Sequence, residues 1–272
     1  MLNHPTHERL VQLRLLGMAQ ALTEQTHLPE TQAMTFEERL GLLVDREVTA
    51  RHQRQTSSRL RRARLKQAAV AEDIDYRHPR GLDRVVFRRL LTGDWIRGHQ
   101  TVLITGPTGV GKTYLACALA NAACRQGYTA RYERLPRLLE ELTIAHADGR
   151  FIKLMLALAK VDVLVLDDWG LAMLDDARRR DLLELLDERY QTRATVITSQ
   201  LPVAHWHEAL GDPTLADAIL DRLVHHAHPL HLAGESLRKL TPAATVSSAI
   251  DASPLGPTNA PAGAPPRVGE RA

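Results

Sequence analysis

The sequence predicts an α/β protein in which helices cover a parallel sheet, preceded by a small all-helical N-terminal region. After about residue 95, short apolar runs alternate with longer segments whose apolar residues recur at helical spacing. One of these runs, 101–105, is followed at once by a glycine-rich loop and then by a helical segment. Before about residue 70 the spacing is helical. Alternating strands and helices are typical of a parallel sheet with helices on both faces.

Five short strands follow from this pattern. They are predicted at 101–105, 129–132, 161–166, 194–198 and 230–232. The longer segments between and beside them predict helices at 112–125, 135–145, 175–190 and 214–226. A short amphipathic helix, which contains Leu82, Val85, Val86 and Leu90, is predicted before the first strand.

The N-terminal region is predicted to contain two helices. Apolar residues recur at helical spacing after Thr6, a candidate N-cap, and this helix is broken near Pro29. The second helix begins after Thr35, because Thr35 and Glu38 have the spacing of a capping box. No glycine or proline interrupts residues 42–78, which predicts that the basic segment beyond residue 50 continues this helix.

The composition divides the chain into three parts. We expect a helical domain at 1–78, an α/β domain at 79–240 and a tail at 241–272. The tail contains six prolines and three glycines with few large apolar side chains, which predicts disorder. No apolar run is long enough to span a membrane and the N-terminus lacks the layout of a signal peptide, so we expect a cytoplasmic protein. Two cysteines seven positions apart on one predicted helix are expected to be reduced thiols.

The glycine-rich loop has the sequence of a phosphate-binding P-loop. Residues 106–113 match G-x-x-x-x-G-K-[ST], and a predicted strand and helix flank them as that motif requires. Glycines let the backbone N–H groups point at phosphate oxygens, and the following helix adds its dipole. Lys112 would reach the β- and γ-phosphates of ATP, and the Thr113 hydroxyl would bind Mg²⁺. The predicted nucleotide contacts are Gly106, Pro107, Thr108, Gly109, Val110, Gly111, Lys112, Thr113 and Tyr114.

A second motif, at 161–168, is a buried strand that ends in two aspartates. Such carboxylates are what a P-loop ATPase needs after the P-loop. We expect Asp167 to bind the magnesium, directly or through water, and Asp168 to orient and polarise the attacking water. The guanine-specific N-K-x-D motif is absent from the sequence, which argues against a GTPase.

Taken together, these residues resemble the AAA+ superfamily and, within it, the IstB-like ATPases that assist transposition by bacterial insertion sequences. DnaC-type helicase loaders are their close relatives. The resemblance covers roughly residues 5–240 and includes an arginine-rich N-terminal helix. The stretches that carry it are the P-loop, 164–170, 195–202, 216–223 and 234–238.

The resemblance implies three further catalytic residues. Gln200 matches a polar sensor between the γ-phosphate and the attacking water; Asn is common at this position, which leaves open a share for Ser199. Arg222 matches an arginine finger that acts on the γ-phosphate of a neighbouring subunit, which implies a homo-oligomer. Arg238 matches a second sensor in its own subunit. Most relatives carry Glu where this chain has Asp168, and the shorter side chain favours slow, switch-like hydrolysis.

The basic segment predicts contact with nucleic acid. Residues 1–95 carry 16 Lys and Arg against 12 Asp and Glu, and no acid interrupts residues 51–66. A run of one sign is often a solvated helix face, but its self-repulsion would be relieved by a polyanion. Without a base-reading motif, binding is expected to be largely independent of sequence. The predicted DNA contacts are Arg51, Arg54, Arg59, Arg61, Arg62, Arg64 and Lys66.

Three functions remain open from the sequence. The resemblance favours an ATPase that oligomerises on duplex DNA with ATP, assists a cognate transposase in choosing its target, and is reset by hydrolysis. The first alternative is a DnaC-like loader of a replicative helicase. The second is a non-catalytic DNA-packaging module whose nucleotide site serves only folding.

Overall fold

A computed structural model of the chain describes residues 5–172 and 174–237, except for the side chain of Gln32. The predicted tail at 241–272 therefore lies outside the described residues, and the domain boundaries at residues 78 and 240 stay predictions. No helix in the described ranges combines the length and the apolar character needed to cross a membrane.

The N-terminal region contains three helices: α1 (Pro5–Gln12), α2 (Leu16–His27) and α3 (Phe36–Ala63). The sequence predicted one helix before Pro29, whereas the structure has two. The second predicted helix corresponds to α3 and begins as predicted. The Thr35 hydroxyl accepts a hydrogen bond from the Glu38 N–H, and the Glu38 carboxylate accepts one from the Thr35 N–H. These reciprocal bonds satisfy two backbone donors that would otherwise lack a partner.

A buried carboxylate joins α2 to α3. Glu47 is 5% exposed and accepts hydrogen bonds from the N–H groups of Gly17, at 2.6 Å, and Met18, at 3.2 Å. A side chain at position 17 would meet the backbone of α3, because an added Cβ would lie 2.8 Å from the Arg46 carbonyl oxygen. Burial alone would raise the pKa of Glu47, but hydrogen bonds from Arg51 and from these two N–H groups lower it on balance.

Helix α3 ends earlier than the sequence predicted. Ala63 is its last residue, and Arg64 has a left-handed conformation with φ of 51°. The prediction that the basic segment continues this helix therefore holds for residues 51–63 and is wrong for 64–66. No local residue forces this end; Ala63 and Ala69 are fully buried in the core, with Leu60 and Leu65 packed against it. Tertiary packing overrides helix propensity here.

The sheet has five parallel strands: β1 (Thr101–Thr105), β2 (Ala130–Arg134), β3 (Val163–Trp169), β4 (Ala194–Ser199) and β5 (Ala227–His231). Their order is β2-β3-β4-β1-β5, which places β2 and β5 at the edges. The carboxyl ends of β1, β3 and β4 therefore lie side by side. Each of the five predicted strands overlaps an observed one, and the predicted α/β fold is confirmed.

Helices cover both faces of the sheet. They are α4 (Arg84–Leu91), α5 (Asp94–Arg97), α6 (Lys112–Arg125), α7 (Leu135–Asp148), α8 (Phe151–Lys160), α9 (Asp176–Arg189), α10 (Trp206–Leu210) and α11 (Pro213–Val224). Alternate strand residues point to two apolar cores: Val163 and Val165 join one with α6, whereas Leu164 and Leu166 join the other with α7 and α9. This alternation is why β3 is apolar on both faces from Val163 to Leu166.

Loss of the Glu47 charge is expected to destabilise the packing of α2 on α3. Glu47→Gln should lower the free energy of unfolding by about 1–3 kcal/mol, since a buried hydrogen-bonded acceptor loses its charge. Because the pKa of Glu47 is lowered in the folded state, its contribution is present at neutral pH and is lost as the pH falls through that value. Thermal unfolding followed by circular dichroism measures both effects.

The matched control is Asp45→Asn, which removes an exposed carboxylate from the same helix. Equal stability of the two variants, or the same acid dependence in Glu47→Gln and the parent chain, would contradict this role of Glu47.

Candidate functional site

The glycine-rich loop curls at the carboxyl end of β1. Gly106 has φ of 145°, and an added Cβ would lie 2.2 Å from the Leu232 carbonyl oxygen. Gly109 has φ of 89°, and its Cβ would lie 2.0 Å from the Ser236 hydroxyl. Neither position accepts a side chain without movement of the backbone. The loop then turns into the N-terminus of α6, where N–H groups without helical partners favour anions.

Two segments from distant parts of the chain brace this loop. After β5, the Leu232 N–H donates to the Thr105 carbonyl at 2.7 Å, and the Leu237 N–H donates to the Gly109 carbonyl at 2.9 Å. On the other side, Arg80 is 3% exposed and its Nη1 donates to the Val110 carbonyl at 3.1 Å. The loop is thus held in shape by contacts on two sides.

Lys112, the first residue of α6, points back into the loop. Its Nζ donates to the carbonyl oxygens of Gly106, at 2.6 Å, and Pro107, at 2.8 Å. Burial lowers the pKa of Lys112, and this effect is opposed by the charges of Asp167 and Asp168. A partly desolvated ammonium among backbone dipoles is suited to receive phosphate oxygens.

Asp167 lies at the centre of the site and is fully buried. Its carboxylate accepts hydrogen bonds from Thr113 of α6 at 2.8 Å, from the Tyr132 hydroxyl of β2 at 2.5 Å, and from the Thr198 hydroxyl of β4. Burial, together with the bond to Asp167, raises the pKa of Tyr132, so this phenol remains a donor. Four elements therefore meet at one carboxylate.

These groups fit a magnesium ion. The Thr113 hydroxyl and the Asp167 carboxylate are adjacent oxygen ligands, and Mg²⁺ prefers oxygen. They lie beside the P-loop and at the carboxyl end of a parallel sheet, where α/β proteins bind ligands. Thr113 and Asp167 would therefore hold the ion next to the phosphates.

Asp168 adopts a strained conformation beside Asp167. Its φ is 66°, which is uncommon for a residue other than glycine, and the register of β3 against β4 shifts at this point. Its N–H donates to the Thr198 hydroxyl at 3.3 Å, and its carboxylate accepts a hydrogen bond from Arg134 Nε at 2.6 Å. The strain turns this second carboxylate out of the strand and into the cavity.

Gln200 also reaches the P-loop. Its Oε1 accepts a hydrogen bond from the Thr108 hydroxyl at 2.7 Å. Ser199 is buried instead, and its hydroxyl donates to the Trp169 carbonyl at 2.9 Å and accepts from the Leu201 N–H at 3.0 Å. Gln200 therefore faces the phosphate side, while the Ser199 hydroxyl is engaged by backbone.

A cavity of about 660 Å³ joins these groups. The predicted residues Thr108, Gly109, Gly111, Lys112, Thr113, Tyr114, Asp168 and Gln200 line it. Residues that the sequence analysis did not assign to the site line it as well, namely Gln67, Asp73, Ile74, Asp75, Arg80, Arg134, Leu171 and Leu237. Most of these belong to the segment 67–80, for which the sequence predicted no site residue.

Lys66 lines this cavity. The sequence predicted it instead as a DNA contact on the surface of the basic helix. Its Nζ is 3.5 Å from an oxygen of Asp167, and its side chain is about half exposed. The end of α3 at Ala63 and the left-handed turn at Arg64 direct Lys66 inward. A residue three positions beyond the end of the arginine-rich helix thus pairs with the candidate metal ligand.

Arg222, the predicted arginine finger, does not line the nucleotide cavity. It lines a second cavity with Thr101 and Thr195, at the amino ends of β1 and β4. Its guanidinium pairs with Asp187 and donates to the Ala218 carbonyl at 2.8 Å. The P-loop lies at the opposite, carboxyl ends of the strands. Arg222 therefore does not meet the nucleotide cavity of its own chain. Arg238 lies outside the described residues.

Comparison with known proteins agrees with this arrangement. Residues 8–244 match the family model of the IstB-like ATP binding protein. The chain belongs to this family. It is 52% identical to a putative insertion sequence ATP-binding protein, y4pL, of Sinorhizobium fredii (strain NBRC 101917 / NGR234), over 88% of this chain and 98% of the relative.

Two solved structures have a similar fold. The crystal structure of DnaI covers 61% of this chain and 91% of its own, with 24% identity and a TM-score of 0.54. The replication initiator DnaA, bound to AMPPCP and single-stranded DNA, covers 63% of this chain and 52% of its own, with 17% identity and a TM-score of 0.51. At these identities the likeness concerns the fold alone.

Removal of the Lys66 charge is expected to strengthen metal binding. Lys66→Gln should reduce the Mg²⁺ concentration needed for half-maximal binding of a fluorescent ATP analogue, because the ammonium competes for Asp167. A half-exposed ion pair contributes at most about 1 kcal/mol, so the shift is up to about fivefold. Direct titration with Mn²⁺, followed by electron paramagnetic resonance, gives a second measure.

Arg64→Gln is the control, since Arg64 is adjacent and exposed but does not line the cavity. An unchanged Mg²⁺ requirement in Lys66→Gln would show that this contact does not compete with the metal.

Proposed function

We propose that this chain is an ATPase whose nucleotide state controls its assembly on duplex DNA, and that it assists a transposase in selecting the target. One observation carries the proposal: Lys112, Thr113 and Lys66 line one cavity, and the buried Asp167 beside it accepts from Thr113 and pairs with Lys66, three residues beyond the end of the arginine-rich helix. This placement would link bound nucleotide to the basic helix through one carboxylate. The relative y4pL is named as an insertion sequence protein, which supports a transposase partner.

The site residues have distinct roles in this proposal. Lys112 exchanges its two carbonyl partners for β- and γ-phosphate oxygens, and Thr113 and Asp167 hold Mg²⁺. Mg²⁺ held by these two residues would supply charge neutralisation at the phosphates. Asp168 orients the attacking water, and Gln200 contacts that water or the γ-phosphate. An exposed ion pair with Arg134 engages Asp168, which favours the slow turnover of a switch.

Arg222 would act on the neighbouring subunit. Within its own chain Arg222 lies at the amino ends of the strands, away from the nucleotide cavity at their carboxyl ends. Its partner Asp187 is exposed, so this pair is weak and can open when another subunit approaches. A guanidinium supplied in trans would then stabilise the charge that develops on the γ-phosphate. Cytoplasmic DNA, ATP and further copies of the chain complete the proposed assembly.

A helicase loader is the second candidate function. The overall likeness to DnaI supports a common fold and carries no argument for a shared partner. Purified transposase encoded beside this gene and the host replicative helicase can be compared as partners on the same DNA. ATP-dependent recruitment of the helicase, and not of the transposase, would favour the loader.

Nucleotide is expected to control assembly on DNA. Light scattering or mass photometry on a duplex should show larger oligomers with ATP than with ADP or without nucleotide. Lys112→Ala should remain small in all three states, because it cannot hold the phosphates. Identical assembly in every state, or full assembly of Lys112→Ala, would contradict nucleotide-controlled assembly. Such a result would favour the non-catalytic DNA-packaging module.

Mixed oligomers test the action of Arg222 in trans. Arg222→Ala and Lys112→Ala chains should each have little ATPase activity alone. Mixing them should restore activity, because an intact nucleotide site on one chain meets an intact arginine on the next. The control mixes Lys112→Ala with Asp168→Asn, in which both defects concern the chain's own site and every neighbour supplies Arg222.

That control mixture should stay inactive. A single Arg222→Ala variant with full ATPase activity, or a first mixture no more active than its components, would contradict an arginine finger at the subunit junction.

A further inference from the structure

The seven basic residues of 51–66 are not equivalent in the structure. Arg51 and Arg54 both donate to the buried Glu47, at 2.8 and 3.0 Å, and Lys66 pairs with Asp167. The remaining four form no ion pair with any described residue of 5–172 and 174–237. They are Arg59, Arg61, Arg62 and Arg64. Positive charge without an acidic partner is therefore concentrated in the last turns of α3 and just beyond them.

Two of these arginines line a groove against the edge of the sheet. A cavity of about 320 Å³ lies between α3 and the edge strand β2. Its charged lining residues are Arg59 and Arg62 of α3, Arg131 of β2 and Lys160 at the end of α8; Thr129, Ala130 and Val161 complete it. We call this the α3–β2 groove. It combines residues that are about 100 positions apart, and it is separate from the nucleotide cavity.

Carboxylates beside the groove neutralise only one of its four positive charges, that of Arg131. Glu133 pairs with Arg131 at 2.6 Å, and Asp162 accepts hydrogen bonds from the N–H and the hydroxyl of Thr129, at 2.8 and 2.7 Å. Arg59, Arg62 and Lys160 have no acidic partner among the residues that the structure describes. Like charges so close lie within a Debye length of about 8 Å at physiological salt, so they repel one another. A bound polyanion would remove that repulsion.

We propose that the α3–β2 groove binds the phosphate backbone of DNA, with Lys160 and Arg131 of the ATPase core as contacts beside Arg59 and Arg62. Guanidinium groups match phosphate oxygens in pairs, and a lysine adds a mobile point charge. The proposal rests on the proposed function and refines it. The backbone of the duplex is bound at the junction of α3 with the sheet. Arg51 and Arg54 serve mainly to hold Glu47.

The position of the groove suits a nucleotide-controlled contact. Strand β2 supplies Arg131 to the groove and, one residue later, Tyr132 to the buried Asp167. Helix α3 supplies Arg62 to the groove and ends three residues before Lys66. Both walls of the groove are thus joined within a few residues to the candidate magnesium site.

The test compares two lysines on α8 in the full-length chain. Lys160 lines the groove, whereas Lys153 is exposed on the same helix and does not line it. Binding to a fluorescent duplex is measured by anisotropy with ATP over a series of salt concentrations. Lys160→Gln should weaken binding roughly fivefold at 0.15 M salt and reduce the slope of log K against log[salt] by about 0.9, as expected for one lost phosphate contact.

Arg62→Gln should behave in the same way, and Lys153→Gln should match the parent chain. Unchanged affinity for the duplex in Lys160→Gln and Arg62→Gln, or an equal loss in Lys153→Gln, would contradict DNA binding in the α3–β2 groove. Binding of the fluorescent ATP analogue should be unaffected in all three variants, which separates a lost contact from a misfolded chain.

Cross-linking gives a measure that does not depend on affinity. Cys117 and Cys124 are buried, so a maleimide photo-cross-linker can be directed to Lys160→Cys or Lys153→Cys. Only the first should cross-link to the duplex; equal cross-linking by both would overturn the placement. Polyglutamate that occupied the groove in place of DNA would assign it to an acidic protein instead. A parent chain that binds no duplex would refute the proposed function itself, whereas a parent chain that binds without these effects would refute the groove alone.

Discussion

The buried carboxylate of Asp167 is the interaction on which the rest of the site depends. An isolated charge at a fully buried position would be costly, so each of its oxygens needs donors. Those donors come from α6, β2 and β4, and the ammonium of Lys66 lies close by. The carboxylate therefore fixes the carboxyl ends of three neighbouring strands relative to the P-loop helix. The donors that satisfy the buried charge of Asp167 also hold its carboxylate beside Thr113, where a metal ligand is needed.

A second buried carboxylate organises the N-terminal region by the same rule. Glu47 holds the N-terminus of α2 and two arginines of α3, so part of the basic segment has a structural role. The sequence shows one run of positive charge, and the structure divides it in two. One part is neutralised near Glu47, and the other remains free where α3 meets the sheet. Net charge alone could not reveal this division, because it depends on which acids lie near in space.

The sequence predicted the local features of the site well. The P-loop, Lys112 and Thr113 are contiguous, and Asp167 ends a strand that is apolar throughout, so a short window contains each signal. The polar residues that complete the site were missed. Tyr132 and Thr198 are bonded to Asp167 only because β2 and β4 flank β3, and strand order is not visible in a single sequence. Their positions at the ends of the predicted strands 129–132 and 194–198 were the available signal.

Arg80 and the end of α3 were missed for a related reason. Arg80 lies in a segment whose composition indicates a connector, and its burial follows from contacts with the P-loop 30 residues away. Helix α3 ends without glycine or proline because its last residue is packed in the core. Propensity describes the local chain, whereas these features are set by what the chain packs against.

The two segments that brace the P-loop also have a kinetic consequence. The sheet and α6 are buried in continuous apolar cores, so their opening requires global unfolding. The chain after β5 is held to the loop by a small number of backbone hydrogen bonds, one of them between Leu237 and Gly109. Local opening of such a segment costs far less than loss of the core. We therefore expect this peripheral stretch to open before the rest of the fold, and each opening would remove one support of the P-loop.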